Sequence, residues 1–217
     1  MKKKSGTALI FAFLFSLVLS GAVSADPFTD TVSRAMNTLS VKKSAPGLLL
    51  LTDAPYVKVE GACALPYLNQ IQELTGCTVG KGNLLFFQRP QTHPLRLMLF
   101  KKDSGIAVVI SRVEQTWLSE ALDLDVKTIS TPEFWKKAKA LEAGKDLFSL
   151  SVIANAWAKN GPYDFLKSAE LHNHIGPGLT SGYLIAHYIL SRYPLKKGER
   201  YTVVACPVWC KEDAIQV

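Results

Sequence analysis

The chain reads as an α+β protein: an antiparallel sheet with helices packed on it, and an internal duplication. Two observations predict this class. Three apolar strand-like runs, "NLLFFQR", "LRLMLFK" and "GIAVVIS", follow one another as a meander. Around them lie segments with helical periodicity, each with its own start or stop signal. With 48% apolar residues over 217 positions, there is enough side-chain volume for a core without covalent staples.

The elements are expected in the following order. "PFTDTVSRAMNTLS" (27–40) places Val32, Met36 and Leu39 on one helical face. "LLLL" (48–51) and "YVKVEG" (56–61) read as strands around a turn at Asp53-Ala54-Pro55. "PYLNQIQELTG" (66–76) is helical, with Leu68, Ile71 and Leu74 in phase and Gly76 as its stop. The three meander strands come next, the last two joined by a turn at Lys102-Asp103-Ser104. The middle of the chain reads as helical. "SRVEQTWLSEAL" leads into "TPEFWKKAKALEAG", where Thr131 caps, Pro132 takes the first helical position and Gly144 ends the helix. "DLFSLSVIANAWAKNG" is a further helix closed by Asn160-Gly161. "RYTVVAC" reads as a strand, and "KEDAIQV" begins a last helix.

The first 25 residues carry an export pattern. Lys2, Lys3 and Lys4 precede an apolar run from Ala8 to Leu19, and small residues at Val23-Ser24-Ala25 precede Asp26. This predicts a secretory signal peptide cut after Ala25, and a periplasmic or extracellular protein that meets the membrane only during export. The apolar run is shorter than the roughly 20 residues of a bilayer-spanning helix. An uncleaved anchor is the alternative. Removing the three lysines lowers the formal charge from +7 to +4. The remaining basic residues are scattered as pairs such as Lys42-Lys43 and Lys136-Lys137, without an aromatic-interleaved stripe, which excludes a nucleic-acid partner.

Four cysteines remain: Cys63, Cys77, Cys206 and Cys210. In an exported chain an even count suggests disulfides, with Cys206–Cys210 as the pair. Metal ligation is the competing use. In "HNHIGPG", His172 and His174 lie two apart, so in an extended segment both rings face one point. Neutral imidazole is a good ligand for zinc and related ions. Cys206 and Cys210, four apart, would complete a tetrahedral site with them, or an open one if water takes a position. The plainer alternative is that both histidines cap a loop. A helix starting near Gly178 would turn its free N–H groups toward the same place, favouring an anion. "TGCTVGKGN" (75–83) fails the phosphate-loop pattern, because only three residues separate Gly76 from Gly80. A glycine-rich turn beside the Cys77 thiol and Lys81 can still hold a small anion, with Gly178 as the other half of that site. His93 and His187 read as structural, and Glu120, Asp123 and Asp125 as a surface group without a catalytic pattern.

A repeat is expected from the residues. A strand runs into Cys63 in "VKVEGACALPYLNQIQ" and another into Cys206 in "YTVVACPVWCKEDAIQ", each followed by Ile-Gln eight or nine positions on.

These motifs resemble the FmdE family, the proteins similar to the E component of formylmethanofuran dehydrogenase. His172, His174, Pro177 and Gly178 fit its His-x-His-x-Cys-Pro-Gly segment. Cys210, Asp213, Ala214, Ile215 and Gln216 fit its Cys-x-x-Asp-Ala-Ile-Gln segment, and Thr75 to Asn83 fit its Thr-Gly-Cys-Thr and Gly-Lys-Gly-Asn segments. The resemblance implies an α+β fold. It also implies zinc binding through His and Cys residues, as in some members. It names no reaction. The family takes its name from operons of a molybdenum or tungsten formylmethanofuran dehydrogenase. Gly176 stands where the family has cysteine, and Asn69 where the first copy should have aspartate. The third motif precedes the first, which implies two copies: residues 26–111 keeping the back end and 164–217 the front end, joined by a helical connection at 112–163. The expected activity is divalent metal binding, zinc first, at His172 and His174 with Cys206 or Cys210. A metal-dependent enzyme acting on a small one-carbon or acidic substrate is the alternative, as is an anion-binding module. A homodimer is the assembly considered.

Overall fold

The computed structural model describes residues 26–217, so the signal-peptide reading lies outside the described residues. Its frame is a five-stranded sheet in the order β4–β1–β5–β6–β7. The strands are β1 (Leu48–Thr52), β4 (Leu84–Phe86), β5 (Arg96–Lys101), β6 (Ile106–Val113) and β7 (Thr116–Asp123), with a separate small ribbon of β2 (Lys58–Val59) and β3 (Ala62–Cys63). The sheet is mixed rather than wholly antiparallel. β1 runs parallel to β4, with Leu50 opposite Leu84, and every other neighbouring pair is antiparallel. Parallel strands need a crossover, and α2 (Leu65–Thr75) supplies it between β1 and β4.

The run of four leucines makes β1 the centre of two cores. Successive strand residues face opposite sides, and helices cover both sides. Leu48 and Leu50 join Leu84, Leu97 and Val108 under α1 (Pro27–Thr38) and α2, against Phe28, Val32, Met36 and Ile71. Leu49 and Leu51 join Leu85, Met98, Phe100 and Val109 on the other face. There they meet Leu150 and Ile153 of α5 (Leu147–Ala158), Leu166 of α6 (Tyr163–His172), Leu179 of α7 (Pro177–Arg192) and Ala214 of α8 (Lys211–Gln216). Each fully buried leucine contributes roughly 1.5–3 kcal/mol. A continuous apolar run is what a strand covered on both faces requires.

Several expectations need correction. "YVKVEG" does not pair with β1. Only Lys58–Val59 is strand, folded on Ala62–Cys63 through Glu60 and Gly61, both at positive φ. "SRVEQTWLSEAL" is not helical: β6 runs on to Val113, turns at Glu114-Gln115, and returns as β7. Residues 112–163 therefore supply an edge strand as well as helices. The signal for it is weak because both faces of β7 mix apolar and polar residues, as an edge strand with two half-covered faces allows. A four-residue helix, α3 (Val126–Ile129), precedes α4. Thr131 does cap α4 (Pro132–Ala138), accepting from the Phe134 N–H at 3.3 Å, but α4 stops well before Gly144. Gly144 serves another purpose: the chain doubles back there, and a Cβ would stand 2.4 Å from the Ala138 carbonyl oxygen. "RYTVVAC" forms no strand, and Val204 is 90% exposed. A strand needs a free partner edge, and the β4 edge is closed: the N–H groups of Phe86 and Gln88 donate to Glu170 Oε1 (2.8 Å) and Asn173 Oδ1 (2.9 Å). Residues 164–217 are thus helices α6, α7 and α8, packed on the same sheet as the preceding elements.

One charged network lies inside this frame, where β1 ends and β5 begins. Asp53 is fully buried and accepts from the Arg96 N–H (2.8 Å) and Arg89 Nη1 (3.0 Å). The Arg96 guanidinium, 1% exposed, donates to Ser111 Oγ (2.9 Å), the Glu142 carbonyl (3.1 Å) and Asp146. It ties β5 and β6 to the turn before α5. Burial pushes the Asp53 carboxyl up to about 6, against the opposing pull of the Arg96 N–H and Arg89.

The folded state therefore holds a proton on Asp53 between about pH 4 and 6, where the unfolded chain has released it. Its contribution to stability falls as pH rises through that window and is flat above it. A carboxyl titration by NMR is expected to place the Asp53 midpoint near 6. A midpoint at or below 4 contradicts this.

Candidate functional site

The histidine pair is built by a helix end, not by an extended segment. His172 is the last residue of α6, and Asn173 takes the left-handed conformation (φ 67°) that ends many helices. The chain reverses there, and His174 comes to face His172 with ring centroids 4.3 Å apart, tilted by 39°. Asparagine is one of the few residues besides glycine at ease in that conformation. Its side chain has a second task, because Asn173 Oδ1 accepts the Gln88 N–H. Together with Glu170 on Phe86 N–H, it pins the turn to the edge of β4.

α8 closes the site from the other side. Asp213 Oδ2 lies 2.7 Å from His172 Nδ1. A carboxylate can only accept, so Nδ1 carries a proton, and in the neutral ring Nε2 keeps its lone pair. That Nε2 is buried and has no hydrogen-bond partner, in a side chain only 11% exposed. A carboxylate on one imidazole nitrogen, with the other nitrogen free, is the arrangement that orients a histidine ligand for a metal ion. Burial, and then the neighbouring His172, hold the His174 imidazole below its ordinary pKa, which favours the neutral ligand form. Phe148 at the start of α5 stacks beside it, centroids 5.8 Å apart.

Two glycines set how close α8 comes. Gly178 and Gly182 lie four apart on α7 and so share one face. A Cβ at Gly178 would stand 2.7 Å from Cys210 Cβ, and one at Gly182 only 2.2 Å from the Lys211 carbonyl oxygen. The Cys210 sulfur lies 3.4 Å from that same Gly178 Cβ position, over the first turn of α7. Cys210 precedes α8 and Asp213 stands three residues on, so thiol and carboxylate share a face of its first turn. Gly176 completes the ring around the histidines: a Cβ there would lie 3.7 Å from His174 Nε2.

Of the metal ligands expected from the sequence, His172 and His174 meet, and half-buried Cys210 sits beside the same helix start. Cys206 is exposed on the preceding loop. All four cysteines are free thiols, so Cys206 and Cys210 are not joined. Among the described residues, no group of three or more His, Cys, Asp or Glu side chains is set to hold an ion. The residues expected to hold an anion are not brought together. Cys77 is fully buried in the cluster under α1 and α2, its thiol pushed up by burial and 3.7 Å from the Leu48 carbonyl. Lys81 Nζ donates to the Gly76 carbonyl at 2.9 Å, closing the end of α2. Gly178 lies on the opposite side of the sheet, next to Leu179 of the other cluster. The sequence places Asp213 in the Cys-x-x-Asp-Ala-Ile-Gln segment without a role, and gives none to Glu170 or Asn173. For Asp213 the signal was available in its spacing from Cys210. For the other two it depended on which strand becomes the edge.

Replacing Gly182 with alanine drives a methyl group into backbone that cannot yield, and is expected to cost about 1–3 kcal/mol. Hydrogen exchange at the amides of 211–216 is expected to accelerate as α8 lifts. Unchanged protection there contradicts the close approach.

Residues 171–217 match the model of a family described as FmdE, Molybdenum formylmethanofuran dehydrogenase operon. That span begins one residue before His172 and ends with α8. No curated protein and no solved structure matches the chain. The segment that carries the histidine turn, the glycine-faced helix and the clasping aspartate is therefore FmdE-like.

Proposed function

We propose that this FmdE-like segment gives the protein its function: binding a divalent transition metal, zinc first, at His172 Nε2 and His174, with Cys210 or Cys206 as the sulfur donor. The observation that carries the reading is the buried, partnerless Nε2 of His172 with Asp213 behind its Nδ1. An orphaned buried nitrogen is costly, roughly 1–3 kcal/mol, and an ion bound there removes that cost. The neutral form of His174 serves the same end, since a protonated imidazole cannot ligate. The two imidazoles are pre-arranged by the β4 edge. The Cys210 thiol stands just before a separate short helix and would be the sulfur donor from that side. A bound divalent ion would supply Lewis acidity and folding energy. Asp213, the carboxylate against the pair, is engaged with His172 Nδ1 and is given no catalytic role.

In an exported chain the thiols compete with oxidation, and Cys206 and Cys210 joined as a disulfide would leave only the imidazoles. The site is thus expected to load in reduced protein.

Dialysed, reduced protein is expected to retain about one zinc per chain by elemental analysis, and His172→Ala with His174→Ala to abolish that retention. Asp213→Asn keeps the ligand and loses its orienting charge, so affinity is expected to fall about 10–100-fold. Metal retained by the double alanine variant contradicts the assignment. As pH falls below the ordinary imidazole value of about 6.5, affinity is expected to drop. The His174 share persists lower, because its folded pKa lies below that value.

The glycine at 176 offers a gain-of-function check. Its backbone is extended (φ −145°), so a side chain is sterically allowed. A Cβ there lies at ordinary contact distance from the His174 ring. Gly176→Cys is expected to add a sulfur ligand and raise zinc affinity by a factor of ten or more, on the order of 1–2 kcal/mol. Isothermal titration reads this directly; unchanged affinity would mean that the ion does not sit between His174 and residue 176.

A further inference from the structure

The second half of α7 and the loop after it have no counterpart in the metal site. α7 buries only Leu179 and Gly182, both in its first turns. From there it emerges into solvent with its apolar residues uncovered: Leu184 is 61% exposed and Tyr188 and Leu190 are each 57% exposed. Twelve of the nineteen exposed large apolar side chains among the described residues fall between Leu184 and Val217. Scattered surface apolar residues are ordinary, but a concentration of this kind marks a docking surface.

The turn that follows α7 is basic. From 192 to 200, Arg192, Lys196, Lys197 and Arg200 accompany a single acid, Glu199. Glu199 is engaged within its own turn, where its carboxylate accepts the Lys196 N–H at 2.8 Å. Gly198 at φ 87° closes that turn, and Tyr201 Oη donates to the Tyr193 carbonyl across its base. Arg192 ends α7 and the other three cations stand on a tied loop, beside Tyr193 and Tyr201. Tyr201 is also one wall of an apolar groove of about 300 Å³, whose other walls are Ile189 and Leu190 of α7, Val203 and Ile215 of α8.

We propose that this face docks on an anionic lipid bilayer surface, the four cations over phosphate headgroups and the α7 side chains and groove at the acyl boundary. The charge pattern selects the partner. Protein interfaces deplete lysine at their centres, whereas lysine and arginine flanking Leu and Tyr are what interfacial membrane binding uses. Tyrosine prefers the headgroup level. No helix among the described residues is long and apolar enough to cross a membrane, so the contact is peripheral. It uses none of the proposed metal ligands and stands whether or not the metal site does.

Residues 28–214 contain the whole sheet and all three apolar clusters, so the chain from Asp26 serves for the test. It is expected to co-sediment with phosphatidylcholine vesicles that contain phosphatidylglycerol, to release as salt is raised, and to ignore pure phosphatidylcholine. Lys196→Glu with Lys197→Glu and Arg200→Glu is expected to weaken binding at least on the order of 100-fold, since each cation near an anionic surface is worth about fivefold. Leu184→Gln with Leu190→Gln keeps the charges and is expected to weaken it as well. All five positions are exposed, and an unchanged melting curve verifies the fold. Absence of binding overturns the proposal, as does binding indifferent to charge reversal. A stable dimer in sedimentation velocity that Leu184→Gln with Leu190→Gln dissolves also overturns it, by assigning the face to a second copy.

Discussion

The clasp between His172 and Asp213 is the contact through which the carboxyl-terminal segment acquires a definite shape. α8 has six residues, too few to hold helical structure alone. It stays in place because Gly178 and Gly182 let its backbone approach α7, and because its carboxylate reaches an imidazole at the end of α6. A hydrogen bond to a charged group is worth about 1.5–3 kcal/mol, a large share of what so short a helix needs. The same bond fixes which nitrogen of His172 is free. One interaction thus positions an element and sets the chemistry of the site.

That clasp works only because the histidine turn is itself immobile. Its floor is the edge of β4, where two backbone N–H groups that would otherwise be open to a further strand are taken by Glu170 and Asn173. Open edges invite pairing with other chains, so the two side chains both protect the sheet and locate the histidines. Beneath them, Asp146 ties the start of α5 to Arg89 and Arg96, next to the residues that bring Phe148 against His174. The buried charges and the imidazole pair share the end of the sheet where β1 and β4 finish. In open sheets with parallel strands, ligands gather at the carboxyl ends of those strands.

Much of the frame was legible in the sequence because it rests on local rules. The β1 leucines, the β5–β6 hairpin, the Gly76 stop and the Asn160 end all follow from periodicity and backbone preference, and the structure has them. What failed was decided by partners. "YTVVAC" has strand composition, yet composition cannot say whether an edge is free. β7 has an ambiguous pattern, yet β6 beside it makes it a strand. At the site, two histidines two apart do converge, but the left-handed Asn173, not the extended run their spacing suggests, brings the rings together. Cys77 and Lys81 were legible as a motif and not as a place. The motif's work here is to end α2 and fill the core under α1, where the thiol is sealed by burial.

In the neutral ring, Asp213 holds the proton of His172 on Nδ1 and leaves a bare, buried Nε2. Nitrogen-15 NMR of the imidazoles in metal-free protein measures this most directly. The Nδ1–H tautomer is expected at His172 in the native chain, with loss of that preference in Asp213→Asn and a shift confined to Nε2 on adding zinc. An Nε2–H tautomer, or a spectrum that Asp213→Asn leaves unchanged, would contradict it.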